Sequence, residues 1–395
     1  MARVVPRYDG GGFAALPATV ARLFGVGEGG VALEGLPERA DRVLLVLLDA
    51  FGWRFFTRHA EHPLLARMQA VTELTTQFPA TTTAHVTTLH TGLAVGEHGL
   101  YEWNVYEPSL DALITPLLFS FAGDSGRDTL LRAGADPYAV LPSMPTLYEE
   151  LGAAGVMSAV FEPAAFAPST FDGVLTRGAR VHPVADLRSG LAEVAAMLRA
   201  GGPAYAYLYW DELDTVGHVL GPSSPEFAAT AVRCLDALEA GLAALPEGTV
   251  VLLAADHGQV DVDPSTTIFV NEAWPELPGL LARGRGGRVL APAGSARDLF
   301  LHCRPETIDE VVAGLARVVG ERATVHRVQE IVAAGWFGEV GERLQARLAD
   351  VCVLPAPGET VWWRERGRFD MRFRGHHGGL TPDEAHTLVA SLVVP

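Results

Sequence analysis

The sequence predicts an α/β protein: an open, doubly wound, mostly parallel sheet flanked by helices, with a small α+β insertion late in the chain. Three observations predict it. First, several short aliphatic runs are continuous rather than alternating: RVLLVLL at 42–48, AYAYLY at 204–209 and TVVLLAA at 249–255. Strands buried on both faces read this way. Second, helix-like stretches at 143–152, 184–200 and 225–245 alternate with the runs, the pattern of crossover connections. Third, the runs lead into acids: Asp49 after the first, Asp211 and Asp214 after the second, Asp256 after the third. Ligands of such sheets bind beyond the carboxyl ends of the strands.

Composition bounds the function. The chain has 395 residues, of which 49% are hydrophobic and 19% charged. It is far too apolar to be disordered and long enough for one large domain or two smaller ones. Aromatic residues make up only 8%, so aliphatic side chains carry the core. The formal net charge of −17 argues against a nucleic-acid polymer as partner, because phosphate contacts need a basic face. A small anionic substrate stays open, since a bound metal reverses the local field. All 30 basic residues are arginine, which excludes a Schiff-base lysine and a P-loop lysine. Cys234, Cys303 and Cys352 are odd in number and far apart. They read as reduced, mostly buried thiols rather than a disulfide framework or a cysteine zinc site. The segment MARVVPRYDGGGF lacks the apolar stretch of a signal peptide. No apolar run reaches the ~20 residues of a membrane span. The expected address is the cytoplasm, with no membrane partner.

The stretch 263–372 differs from the rest. It carries Gly/Pro-rich breaks (LARGRGGRVLAPAGSARD), a short strand (LFLHC), a helix at 307–319 and two more strands (VWWRER and FDMRF). It is expected to be an α+β cap. The core then comprises 1–262 and 373–395.

The chemistry concentrates in a few acids and histidines. Asp49 lies in LLDAFG; Asp214 and His218 lie four apart in DELDTVGHVLGP; Asp256 and His257 are adjacent in AADHGQ; His376 and His377 lie in RGHHGG. Asp and His suit Zn²⁺ in catalytic sites. Spacing by four puts Asp214 and His218 on one side of a helical turn. Singly, each motif has a plainer explanation: an N-cap or turn aspartate, a surface histidine on a loop, or a C-cap followed by a loop. Together, at the ends of three strands, they point to a metal-dependent active site. The threonine-rich stretch QFPATTTAHVTTLHTG (77–92) offers hydroxyls at a helix start. There a metal can activate a nucleophile and backbone N–H groups can face a phosphoryl group. Helix capping by the same threonines is the alternative. The Gly-rich GVGEGG at 25–30 follows a helix-like stretch rather than a strand, so it reads as a loop and not as a dinucleotide site.

In order, LLDAFG, FPATT, TGLAVGEHGL, LDTVGHVLGP, ADHG and HHGG resemble the alkaline phosphatase superfamily. Within it they are most similar to the nucleotide pyrophosphatase/phosphodiesterase (type I phosphodiesterase) group, over about 42–380. The resemblance implies an alkaline-phosphatase-like fold and a hydrolase acting on phosphodiesters or nucleotides. It implies two Zn²⁺ ions, with Mn²⁺ also acceptable to such ligands. Thr82, the last threonine of FPATT, matches the nucleophile, with Thr81 and Thr83 its neighbours in register. Asp214, His218 and His377 match the ligands of one metal. Asp49, Asp256 and His257 match those of the other, which also takes the Thr82 oxygen. Two such ions ~3.5–4 Å apart would clamp the attacking and leaving oxygens.

The pattern departs from the family in places. Leu213 stands before Asp214 where the family has proline. Trp103 falls by count where the family places a phosphate-binding asparagine, so the adjacent Asn104 is the substrate-binding candidate. Tyr101, Trp103 and Tyr106 either stack a base or pack a loop. His85, His90 and His98 read as packing or supporting residues. The implied mechanism has two steps through a phosphothreonine, with net retention at phosphorus. Rivals within the superfamily are a phosphonoacetate-hydrolase-like C–P hydrolase, which needs a cationic clamp, and a phosphomonoesterase. No cysteine stands in a sulfatase context, and FPATT offers no serine. A non-catalytic binding protein that retains the fold is the rival from another class.

Overall fold

The computed structural model describes residues 3–365 and 367–395. Its centre is a seven-stranded sheet. The elements that position the site are, in chain order, β1 (Arg42–Leu48), β2 (Ala70–Thr75), α1 (Thr82–Thr91), β3 (Met157–Pro163), α2 (Thr170–Leu175), β4 (Ala179–Val184), α3 (Leu187–Arg199), β5 (Ala204–Trp210), α4 (Glu212–Leu220), α5 (Pro225–Leu242), β6 (Val250–Ala254), α6 (Ile308–Val319) and β7 (His386–Val393). The strand order is β2-β7-β6-β1-β5-β3-β4. Strands β6, β1, β5, β3 and β4 pair in parallel, whereas β7 runs antiparallel to both β6 and β2. This is the mostly parallel, helix-flanked sheet that the aliphatic runs predict.

The continuous runs reflect burial on both faces. Val43, Leu45 and Leu47 of β1 pack into one core; Leu44, Val46 and Leu48 pack into another on the opposite face. Fully burying each such side chain contributes about 1.5–3 kcal/mol. Leu191, Val194 and Leu198 of α3 and Leu235 and Leu238 of α5 cover the second face. Ala84, Val86 and Leu89 of α1 belong to the first. Side chains alternate along a strand, so Asp49, two residues past Leu47, emerges on the α1 side.

Helix α1 is polar in composition and buried almost throughout. Its hydroxyls are satisfied locally: Thr87 donates to the Thr83 carbonyl and Thr91 to the Thr87 carbonyl, both at 2.7 Å. Gly92, at φ 74°, ends the helix in the left-handed cap conformation. The GVGEGG segment is a loop after the helix Leu16–Leu23, with Gly25, Gly27, Gly29 and Gly30 all at positive φ.

Two smaller sheets flank the core. A three-stranded antiparallel sheet joins Val105–Glu107, Ala112–Thr115 and Ser120–Phe121. A four-stranded antiparallel sheet runs Ala293–Ser295, Asp298–Leu301, Val351–Pro355, Ala323–Arg327 in spatial order, and α6 packs on it. VWWRER supplies only the short strand Val361–Trp362, paired with Ile268–Phe269. FDMRF makes no strand beyond a bridge from Phe369 to Glu365. Its Phe369 and Met371 are buried in a cavity wall instead of joining a ladder. Among the described residues no helix is long and apolar enough to cross a membrane.

Candidate active site

The carboxyl ends of β1 and β5 and the start of α1 line one cavity of about 460 Å³, and the end of β6 lies against it beside Thr82. Asp49 follows β1, Asp214 and His218 sit on α4 after β5, and Asp256 and His257 follow β6. His377 arrives on the loop after Gly375–His376, a two-residue strand paired with Val260–Asp261 beyond β6. Thr82 is the first residue of α1.

Thr82 borders the half of the site built by Asp49, Asp256 and His257. Its Oγ1 is 3.4 Å from Asp49 Oδ2 and 3.2 Å from His257 Nε2. His257 Nε2 is 3.5 Å from Asp49 Oδ1 and 3.3 Å from Asp256 Oδ2. On the other side His218 Nε2 is 3.4 Å from Asp214 Oδ2, and His377 Nε2 is 3.7 Å from Asp214 Oδ1. The His257 and His377 rings stack, with centroids 3.6 Å apart, and join the two halves. Ligand atoms of Asp49, Asp256 and His257 converge closely enough to hold one cation, as do those of Asp214, His257 and His377. His218 adjoins the second group through Asp214. His376 stays out, its Nδ1 turned to its neighbour His377.

The second nitrogens of the rings say what the first are for. His218 Nδ1 donates to the Gly375 carbonyl at 2.8 Å, His377 Nδ1 to the Ala80 carbonyl at 2.8 Å and His257 Nδ1 to the Gly258 carbonyl at 3.1 Å. A carbonyl only accepts, so each Nδ1 carries the proton and each neutral ring presents Nε2 as a lone pair. Metal-ligating histidines are held in this way. The carboxylates are poised similarly. Asp49 Oδ1 and Asp256 Oδ2 are buried with no hydrogen-bond partner, a costly state unless a cation compensates. Burial, then Asp256 and Asp214 nearby, push the Asp49 carboxyl well up. Burial raises Asp256 as well and brings Asp214 to about 6. Burial also holds His257 and His377 well below the ordinary histidine range. Three crowded aspartates and neutral imidazoles form a donor set that fits divalent cations.

Asn104 lines the same cavity. Its Oδ1 accepts from Thr115 Oγ1 at 3.0 Å, which leaves the Nδ2 donors for the cavity. Trp103 also lines it and is 45% exposed. Tyr101 is fully buried against Phe300 and Phe337, and Tyr106 binds Asp111. Of the three aromatics only Trp103 is thus free to stack on a ligand. His85, His90 and His98 are buried: His85 accepts from the Gln77 N–H, His90 meets the Tyr148 hydroxyl and His98 accepts from the Leu100 N–H.

Sequence reasoning missed several residues. Tyr209 donates to Asp49 Oδ2 at 2.5 Å; it sits inside the AYAYLYW run and reads there as core. Gln259 donates through Nε2 to Asp214 Oδ1; its place three residues after Asp256 was the available signal. Glu162, Asp172 and Arg127 also line the cavity, from segments with no motif to mark them.

The fold is alkaline-phosphatase-like, and the acids and histidines beside Thr82 form its candidate active site. Murine ectonucleotide pyrophosphatase/phosphodiesterase 5 is similar in structure, with a TM-score of 0.66 at 17% identity over 88% of this chain and 87% of that one. The human form matches at a TM-score of 0.66 and 16% identity over 89% and 87%. An inactive threonine-to-alanine variant of the murine protein, in complex with AMP, matches with the same TM-score and identity as the human form. At this identity the likeness shows the fold. Among curated proteins nothing matches the sequence. The family model for type I phosphodiesterase / nucleotide pyrophosphatase matches residues 43–380, and the chain belongs to that family of hydrolases.

Proposed function

We propose that the protein hydrolyses small phosphodiesters or nucleotide pyrophosphate bonds with Thr82 as nucleophile. The observation that carries this reading is the donor set beside Thr82: three imidazole Nε2 atoms with Nδ1 spent on backbone carbonyls, the buried Asp49 and Asp256 and the half-buried Asp214, with Asp49 and His257 within 3.4 Å of Thr82 Oγ1. Asp214, His218 and His377 would hold one divalent cation. Asp49, Asp256 and His257 would hold the other, with Thr82. The donor set suits Zn²⁺, with Mn²⁺ as the alternative. When bound, the cations supply charge that lowers the pKa of the Thr82 hydroxyl and stabilises the transferring phosphoryl group.

The chain's own groups do the rest. Thr81 caps α1 without a side-chain bond to the helix, because its Oγ1 donates to the Tyr101 carbonyl at 3.0 Å. First-turn N–H groups therefore stay free for a phosphoryl oxygen. Asn104 Nδ2 donates to another. Thr82 gives its proton to water, and Oγ1 attacks phosphorus in line. The bond to the leaving oxygen breaks, that group departs as an alcohol or phosphate that takes up a proton from water, and an esterified phosphothreonine forms. Water then hydrolyses it, and two inversions give net retention. The 263–372 insertion acts as a cap and lends Trp362 and Phe369 to the cavity wall. The three buried free cysteines suit a reducing compartment, and we assign the cytoplasm.

A C–P hydrolase would need a cationic clamp for its carboxylated substrate. Arg127 and Arg368 line the cavity among the described residues. However, Arg127 stands beside Asp172, which offsets its charge, and Arg368 is engaged by Glu365 and the Ala122 carbonyl, so the diester reading is preferred. The test compares hydrolysis of bis-p-nitrophenyl phosphate and p-nitrophenyl phosphate by zinc-loaded protein, with Thr82→Ala as control. Faster diester cleavage, abolished in the variant, is expected. Undiminished cleavage by Thr82→Ala would overturn the assignment of the nucleophile.

A further inference from the structure

The cavity extends past the reacting centre to a pair of buried acids. In the register of the sheet, Glu162 near the end of β3 aligns with Tyr209 of β5, one step past the Phe161–Leu208 pair, and Tyr209 aligns with Leu47 of β1. Partners at one level of a parallel sheet point to the same face, so Glu162, Tyr209 and Asp49 share the α1 side. Glu162 stands two strands across and two residues back from Asp49, roughly 12 Å away at the usual strand spacing and rise. It is nine-tenths buried, its Oε1 has no hydrogen-bond partner, and the residue lines the cavity.

Its neighbour explains its state. Asp172 on α2 accepts from both the backbone N–H and the hydroxyl of Ser169, at 2.7 and 2.8 Å through Oδ2. Two donors fix Asp172 as the ionised member. Burial, and then Asp172 beside it, push the Glu162 carboxyl up to about 9. Glu162 is therefore the neutral acid of the pair: it keeps its proton, donates a hydrogen bond to Asp172 and leaves Oε1 free as an acceptor. Arg127 is the cation nearest this pair. Its Nη1 donates to the Phe166 carbonyl at 2.8 Å, and its charge offsets that of Asp172. The far end of the cavity thus pairs the charges of Arg127 and Asp172 and presents two unpartnered polar atoms, Glu162 Oε1 and the Tyr207 hydroxyl. Phosphoester chemistry at Thr82 makes no use of it.

We propose that Glu162, with its unpartnered Oε1 in the cavity wall, is a specificity-determining acceptor for an uncharged O–H or N–H group on the alcohol that stays esterified to the phosphate. This rests on the proposed phosphodiester reading. It makes the substrate class a diester of a polar, donor-bearing alcohol, of which a nucleoside is one form, rather than a purely apolar ester or a cationic headgroup. A site built to receive a donor discriminates strongly against ligands that lack one, because the buried acceptor is then left unpaired.

The test uses Glu162→Leu and Glu162→Gln in the full chain. Leu removes the acceptor without leaving a buried charge of its own. Gln keeps both a donor for Asp172 and an acceptor for the ligand. Selectivity is read as kcat/KM for thymidine 5′-(p-nitrophenyl phosphate) over that for methyl p-nitrophenyl phosphate. Glu162→Leu is expected to lower this ratio by about tenfold or more, and Glu162→Gln to retain most of it. Loss of selectivity in Gln as great as in Leu would show that an ionised Glu162 is needed and would overturn the neutral acceptor. An unchanged ratio in Glu162→Leu would overturn the subsite itself. Calorimetric binding of thymidine 5′-monophosphate against methyl phosphate, in a Thr82→Ala background with and without Glu162→Leu, separates this inference from the reaction. Binding selectivity that depends on Glu162, when the protein with Thr82 intact hydrolyses neither ester, would sink the diester reading and keep the subsite. Binding indifferent to Glu162 would sink the subsite.

Discussion

Replacing Arg297 with methionine should cost far more than an exposed arginine would, because of what it leaves behind. Arg297 is fully buried. Its Nε and Nη2 donate to the two oxygens of Glu384 at 2.9 and 2.7 Å, and Nη1 donates to the carbonyls of Ala356 and Glu359 at 2.7 and 2.5 Å. Glu384, equally buried, also accepts from Thr381 Oγ1 at 2.6 Å and from the Gly379 N–H at 3.0 Å. It thereby fixes the loop that carries His377. Burial alone would push the Glu384 carboxyl up; Arg297 and the two further donors hold it below its ordinary value. Removing one partner of such a pair costs about 3–5 kcal/mol, because the other charge stays buried and unpaired. An unfolding entropy of about 2.1 cal/mol/K per residue gives roughly 0.8 kcal/mol/K for this chain, so Tm should fall by roughly 4–6 °C at neutral pH. The sign with pH follows. In the native protein the depressed Glu384 contributes stability above about pH 4.3 that is lost as pH falls through its folded pKa. In the variant the lone carboxyl is relieved by protonation, so the gap between the two proteins should narrow in acid. Scanning calorimetry across pH reads this directly, and Arg297→Met/Glu384→Leu should recover most of the loss. A fall of less than 1–2 °C at pH 7, on the order of 1 kcal/mol by the same conversion, or a double variant no more stable than the single one, would refute the reasoning.

Other consequences follow from the site. Tyr209→Phe removes the hydroxyl on Asp49 and should lower kcat/KM by about tenfold, the worth of one hydrogen bond to a charged group, as read with bis-p-nitrophenyl phosphate. Gln259→Leu strips Asp214 of its amide partner and should weaken metal binding about 10–100-fold in a chelator competition titration. Metal affinity of the unaltered protein should fall as pH drops through about 6, where Asp214 takes up a proton; affinity flat from pH 7.5 to 5 would contradict the ligand set. Gly258→Ala should destabilise the protein by about 1–3 kcal/mol, visible as a lowered urea midpoint, because a Cβ there would lie 2.1 Å from the Asp383 carbonyl oxygen.

Much of this site was legible in the sequence because parallel sheets write their chemistry at strand ends. Asp49 and Asp256 follow unbroken aliphatic runs, and the four-residue spacing of Asp214 and His218 is a helical turn. Those local patterns survive without knowledge of the fold. What stayed hidden depends on strand order and on side chains that look like core. Tyr209 reads as one more apolar residue of β5 until β1 is placed beside it. Glu162 comes near Asp49 only because β5 lies between β3 and β1. The 105–121 sheet has strands of two to four residues, too short for an alternating pattern. FDMRF alternates like a strand, yet its Phe369 and Met371 turn into the cavity wall, and burial there outweighs pairing. The C-terminal run His386–Val393 closes the sheet antiparallel to its neighbours, a direction no local pattern encodes.

The most direct test of the central claim is the stereochemical course at phosphorus. A phosphodiester made chiral with sulfur and an oxygen isotope is hydrolysed by the metal-loaded protein, and the configuration of the product is determined. Attack by Thr82 followed by water predicts net retention. Net inversion would mean that water attacks directly, and would contradict Thr82 as the nucleophile.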